Sequence, residues 1–234
     1  MKKRILIRKL MPIYLFIMVG VVFAAHFGSQ AVTTMVESAS VEGRRIIVVD
    51  AGHGGIDGGA TSCTGVLESS INLEIALRLN DLLRFMGYET VMVRTTDTSI
   101  HTQGNTIAAQ KVSDLKERVS LVNNIENALL ISIHQNTYPD GRYSGAQVFY
   151  ADGQESKSLA DRLQGDFRSI LNSGSKRQSK PSTGIYLMQN IRKPGVLIEC
   201  GFLSNPEEEA RLREPEYQRK LCCVVVSGIS LMFT

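Results

Sequence analysis

The stretch Ile46–Glu68, IIVVDAGHGGIDGGATSCTGVLE, constrains this chain more than any other. It opens on four apolar β-branched residues, Ile46-Ile47-Val48-Val49, and breaks at Asp50 into a loop crowded with glycine. A short apolar run bounded by glycines reads as a buried strand that delivers its carboxyl end to a functional loop. In open α/β sheets ligands bind at that edge. The loop carries His53 and its far end carries Glu68, and both residue types bind metals. A phosphate-binding loop is excluded, because the glycines are not followed by Lys-Ser/Thr. The dinucleotide pattern is excluded because Asp57 stands where it needs glycine.

Two other apolar runs end on residues of the same chemistry. Leu129–Ile133 leads into His134, and Val196–Ile198 leads into Glu199. A catalytic zinc takes three protein ligands and keeps a position open for water. His53, Glu68 and His134 form such a His₂Glu set if the strand ends converge. Each residue has a plainer reading: a hydrogen-bonded histidine, or a glutamate favoured by the helix dipole. With only 4 histidines in the chain, two at strand ends are a notable concentration. Glu199 at the tip of a buried strand needs a partner or a task. It can accept the proton of the attacking water, or it can pair with Arg94 or Arg118.

The remaining pattern alternates strands and helices. Strands are expected at Arg45–Asp50, Glu89–Arg94, Leu129–Ile133, Ala146–Tyr150, Tyr186–Met188 and Gly195–Glu199. Helices are expected from Ser69 or Ser70 (as caps) to Met86, over Ala108–Asn124 with Leu115, Val119 and Val122 inward, and over Glu155–Leu171 with Leu159, Leu163, Phe167 and Ile170 on one face. A short acidic helix follows Pro206, and Glu216–Leu231 closes the chain. This order predicts one α/β domain, a mainly parallel sheet covered by helices on both faces. Lys116, Glu117 and Arg118 read as a solvated helix face. The cysteines, Cys63, Cys200, Cys222 and Cys223, lack the CxxC spacing of a zinc knuckle and read as small buried hydrophobes, with a Cys63–Cys200 disulfide left open.

Lys2, Lys3, Arg4, Arg8 and Lys9 outweigh the net charge of +3, so the rest of the chain is slightly acidic and has no basic face for nucleic acid. That cluster precedes Leu10–Phe27, an apolar segment just long enough to span a bilayer. Residues 1–28 therefore read as a signal or membrane anchor, 29–43 as a linker and 44–234 as a catalytic domain. Charge bias places that domain outside the cytoplasm, anchored or secreted.

The motifs VVDAGHGGIDGGA, the following Glu68, SIHQN at Ser132–Asn136 and VLIECGFLSN at Val196–Asn205 resemble the zinc-dependent N-acetylmuramoyl-L-alanine amidases. The resemblance runs from Arg45 to the C-terminus. It implies one Zn²⁺ on His53, Glu68 and His134, catalysis by Glu199, and a six-stranded phosphorylase/hydrolase-like α/β fold. The implied reaction is hydrolysis of the amide between N-acetylmuramic acid and L-alanine in peptidoglycan. QKVSDLKERV, GAQVFY and the membrane-proximal start resemble the germination-specific branch of the family. That branch implies a forespore intermembrane location, a product that a muramic acid deacetylase converts to muramic-δ-lactam in the spore cortex, and a lipoprotein activator as a candidate partner. The span His134–Glu199 leaves no evident room for the inhibitory helix of some relatives. The competing readings are a vegetative autolysin, a non-catalytic wall-binding or activator protein, and a zinc deacetylase acting on the sugar.

Overall fold

A computed structural model describes residues 44–232. The apolar segment Leu10–Phe27 and the linker 29–43 lie outside the described residues. No helix among the described residues is long and apolar enough to cross a membrane.

Six strands form one sheet: β1 (Ile46–Ala51), β2 (Glu89–Met92), β3 (Ala128–Asn136), β4 (Gln147–Tyr150), β5 (Lys180–Pro181) and β6 (Gly195–Phe202). Their order is β2-β1-β3-β6-β4-β5. The four strands β2, β1, β3 and β6 run parallel, and β4 is antiparallel to β6. The helices are α1 (Glu68–Phe85), α2 (Ile107–Asn124), α3 (Gln154–Asp166), α4 (Tyr186–Asn190), α5 (Pro206–Leu212) and α6 (Pro215–Ser230). The mainly parallel six-stranded α/β architecture matches expectation.

The strand runs are apolar throughout because both faces are covered, and successive side chains divide between two cores. Ile47, Val49 and Ala51 pack with residues of α1, α3 and α6. Val48 packs on the opposite face with Val122 of α2 and with Leu187 and Met188 of α4. The parallel register brings the carboxyl ends of β1, β3 and β6 together: Asp50 pairs with Ser132, and His134 pairs with Glu199.

Several expected details differ. Tyr186–Met188 is the start of α4, not a strand. Leu187 and Met188 both bury into the same core, which neighbours on a helical turn can do and neighbours on a strand cannot. The sixth strand is instead Lys180–Pro181, paired with β4. Helix α1 begins at Glu68 itself, with no side-chain cap, and Ser70 Oγ donates to the Leu67 carbonyl (2.7 Å). Thr106 caps α2 by accepting from Ala109 N (3.2 Å). Helix α3 stops at Asp166 and continues as a π-helical turn, Phe167–Leu171. The wider turn rotates Ile170 off the buried face, and it is exposed. All four cysteines are free; Cys200 and Cys222 are buried, Cys63 and Cys223 exposed.

The largest departure is Arg118, which is buried rather than solvated. Its Nη1 pairs with Asp50 Oδ1 and its Nε with Asp114 Oδ2 (2.6 Å). It also donates to the carbonyls of Ala51 (3.0 Å) and His53 (2.7 Å). Asp50 further accepts from Ser132 Oγ (2.6 Å). Burial opposes the Asp50 charge, but Arg118 and Ser132 outweigh it and hold the carboxyl below its usual range. Arg94 complements this clamp, donating to the carbonyls of Ala51 (2.9 Å), Gly52 (3.0 Å) and Ser69 (2.8 Å). Neither arginine is paired with Glu199.

Breaking a buried ion pair strands the remaining charge. Arg118→Met is expected to cost about 3–5 kcal/mol of folding stability in urea titrations. The Asp50→Asn, Arg118→Met double variant should recover part of that loss.

Candidate metal centre

His53 sits two residues past β1 with φ 61°, a left-handed conformation that non-glycine residues seldom adopt. The Arg118 bond to its carbonyl and the paired Gly54–Asp57 turn (2.7 and 3.1 Å) hold it there. Its Nδ1 lies 2.8 Å from Asp57 Oδ2, and Lys111 Nζ in turn lies 2.7 Å from Asp57 Oδ1. This leaves Nε2 facing Glu68 Oε2 at 3.3 Å.

Glu68, the first residue of α1, is buried and held on both oxygens. Oε2 accepts from Ala60 N (3.0 Å). Oε1 accepts from Asn72 Nδ2 (3.2 Å) and Gln135 N (3.1 Å) and lies 3.0 Å from His134 Nδ1. The two imidazoles stand edge to face with centroids 5.0 Å apart. Glycine is required twice for this approach. A Cβ on Gly52 would fall 2.1 Å from the His134 ring, and one on Gly59 would fall 2.6 Å from Glu68 Oε2.

Glu199 stands across the β3–β6 ladder from His134. Its Oε2 is sealed from solvent and has no hydrogen-bond partner. Burial is the main cause that pushes its carboxyl up to about 7; His134 opposes the shift and Glu68 adds to it. For His53, burial opposes the charge, but the Glu68 and Asp57 carboxylates prevail and push it up to about 9. Burial acts against the Glu68 charge too, and the two histidines overcome it, holding that carboxyl far below its usual range.

One ligand atom each from His53, Glu68 and His134 can be chosen so that all three lie within 4.8 Å of one another. Donors about 2.1 Å from a shared tetrahedral zinc ion lie about 3.4 Å apart, so a closure of roughly an ångström suffices. The residues present therefore fit a metal: two imidazoles, one carboxylate, and an orphaned carboxylate beside them. A cavity of about 190 Å³ opens next to the cluster, lined among others by Asp57, Lys111, His134, Tyr186 and Leu197. Helices α2 and α4 wall it, whereas α3 packs against β4 and α6.

The four residues singled out from the sequence thus meet at one sheet edge. The supporting residues Asp57, Asn72, Gln135 and Lys111 were not singled out. Two carried a signal: Asp57 and Asn72 each lie four residues beyond a ligand candidate, the spacing of side chains that can turn back on one another.

The raised His53 sets a pH dependence with a definite sign. In metal-free protein its charge–charge stabilisation is fully present below pH 6.5 and is lost as pH rises through about 9. A metal on Nε2 must displace that same proton. Metal affinity is expected to tighten by up to about tenfold per pH unit below 9 while the Tm of metal-free protein falls, both measurable on one preparation.

The N-acetylmuramoyl-L-alanine amidase family model matches residues 47–230. The chain is 43% identical to the germination-specific N-acetylmuramoyl-L-alanine amidase of Bacillus subtilis, over 81% of this chain and 80% of that one. Among solved structures it is similar to the CwlD amidase of Clostridioides difficile, determined in complex with the GerS lipoprotein. That match has TM-score 0.78 and 36% identity, covering 81% of this chain and 98% of that one. It is also similar to the catalytic domain of the CwlV amidase of Bacillus (Paenibacillus) polymyxa, with TM-score 0.68 and 27% identity over 81% and 98%. With the fold, the strand-end cluster and a family match over almost the whole described region, the chain belongs to the N-acetylmuramoyl-L-alanine amidases, hydrolases of peptidoglycan.

Proposed function

We propose that this amidase is zinc-dependent, with His53, Glu68 and His134 as the ligands and Glu199 as the catalytic acid–base. The observation that carries this reading is the sealed, unpartnered Glu199 Oε2 at the rim of the three-residue cluster, with its carboxyl pushed up to about 7. Such a carboxylate costs stability in a structural role and suits proton transfer at neutral pH. The chemistry supplied by bound zinc is polarisation of the scissile carbonyl and activation of water. Glu199 accepts the proton of the attacking water and returns it to the leaving alanine amine. Asp57, backed by Lys111, keeps the His53 proton on Nδ1 and so frees Nε2 for the metal. Asn72 and the Gln135 amide orient Glu68. Cys200 is no nucleophile, since burial pushes its thiol well up.

The substrate bond is the amide between the lactyl group of N-acetylmuramic acid and L-alanine of the stem peptide. The likeness to a germination-specific enzyme supports a cortex role. The lactam ring closes between the lactyl carboxyl and the sugar's own nitrogen. That carboxyl is blocked until an amidase removes the peptide, so the enzyme acts before a muramic acid deacetylase. The complex of the Clostridioides difficile relative supports a lipoprotein partner for this chain as well. Residues 1–28 act as export signal or anchor, 29–43 as linker and 44–234 as catalytic domain, which places catalysis outside the cytoplasm, in the forespore intermembrane space.

Alanine at His53, Glu68 or His134 is expected to abolish bound zinc and activity together, measured by metal analysis and peptidoglycan digestion. Glu199→Gln should keep zinc and lose about 10²–10⁴-fold in kcat. Zinc retained by His134→Ala, or wild-type turnover in Glu199→Gln, would reject the assignment.

Muropeptide analysis of cortex from a deletion strain tests the biological role. Muramic-δ-lactam should be absent and germination poor. Normal lactam with defective cell separation would instead indicate a vegetative autolysin.

A further inference from the structure

Beyond the metal cluster, the same sheet edge carries two exposed tyrosines. Tyr138 and Tyr143, in the loop after β3, are 50% and 46% exposed. Their rings meet edge to face with centroids 4.7 Å apart. Tyr143 leans on Phe202, centroids 6.2 Å apart, and the Arg177 guanidinium sits 4.9 Å from the same Phe202 ring. The loop is braced rather than loose. Tyr138 N donates to Ser204 Oγ (3.1 Å), and Asn205 Nδ2 donates to the Tyr143 carbonyl (3.3 Å). Asn205 is itself held as the cap of α5. At the rim, Arg142 makes a forked pair with Asp140 (2.6–3.0 Å) while remaining almost fully exposed.

The position of this ledge follows from register. His134 pairs with Glu199, and Asn136 pairs with Phe202. At a rise of about 3.3 Å per residue the ledge base lies roughly 7–10 Å beyond the reacting centre along the strands. The apolar cavity by Lys111 and Tyr186 lies over α2 and α4. The ledge lies at the end of β6, where Tyr143 rests on Phe202 and Tyr138 is tied to Ser204.

We infer that Tyr138 and Tyr143 form a stacking platform for a sugar of the glycan strand next to the muramic acid whose amide is cut. This rests on the peptidoglycan amidase activity and specifies which part of the polymer is gripped. A pyranose presents an apolar C–H face bordered by hydroxyls. A tyrosine matches it with an apolar ring and a polar tip, at low conformational cost. Arg142 and Asp140 offer a donor and an acceptor to hydroxyl and acetamido groups at the border. A preformed ledge favours this, because little ordering cost is left for binding. The enzyme then reads glycan length.

The test uses zinc-loaded full-length enzyme and two substrates: peptidoglycan strands of several disaccharides, and an N-acetylmuramoyl peptide with no further sugar. The readout is the ratio of kcat/KM on long over short substrate. Tyr138→Ala and Tyr143→Ala should each lower that ratio roughly two- to tenfold, through KM. Tyr138→Phe and Tyr143→Phe, which keep the stacking ring, should restore most of it. A second measurement needs no turnover: the double alanine variant should be retained less on insoluble peptidoglycan than wild type. Equal losses on both substrates would assign the rings to folding and overturn the proposal. An unchanged ratio with unchanged retention would overturn it too, as would a double variant that loses only binding to a lipoprotein partner. Wild-type enzyme that binds peptidoglycan through these rings yet cleaves neither substrate would leave the platform standing and reject the amidase activity.

Discussion

The structure depends on how the carboxyl end of β1 is held. The carbonyls of Ala51, Gly52 and His53 turn away from the sheet ladder just where the chain enters its left-handed kink. Two guanidinium groups, Arg118 and Arg94, accept the task of satisfying them. A rigid planar donor fork can bridge several carbonyls at once, which a lysine cannot. Arg118 stays charged in this interior because Asp50 and Asp114 face it. Helix α2, strand β1 and the His53 loop are thereby one mechanical unit.

The cluster built on that unit is a set of opposed electrostatic demands. His53 and the Glu68 carboxylate stabilise one another's charged forms, while Glu199 nearby gains too little to offset its burial and moves toward neutrality. Two glutamates of one site thus acquire different characters. Glu68 is saturated by Ala60, Asn72 and Gln135, as a fixed acceptor should be. Glu199 keeps a sealed oxygen with nothing bound to it. Different surroundings turn the same side chain into a ligand candidate in one case and a proton carrier in the other.

Around this centre lie two surfaces of contrasting chemistry. One is a cavity walled by α2 and α4; the other is an aromatic ledge on Phe202. A polymer with a peptide branch has two unlike ends to accommodate at its branch point, and the molecule offers two unlike surfaces. Short α4 matters here because it puts Tyr186 and Leu187 beside the cluster.

Much of this was legible in the chain itself. Unbroken β-branched runs report strands covered on both faces, and the break at glycine marks where each run releases its end. His53, His134 and Glu199 stand at or just past the ends of such runs and Glu68 at the far end of the glycine loop, so local pattern marked all four as candidates for one site, and four ordered motifs pointed to the amidase family. What tertiary structure alone decided are matters of long-range contact. Arg118 lies on a polar-looking helix face and is buried only because Asp50, 68 residues away in sequence, meets it. Tyr186–Met188 is helical because both apolar side chains find one core. Gln135 and Lys111 carry no local mark, since what they orient arrives from elsewhere in the chain. The pairing of Tyr138 with Tyr143 over Phe202 is likewise set by the brace to Ser204 and Asn205, and no spacing rule in the sequence encodes it.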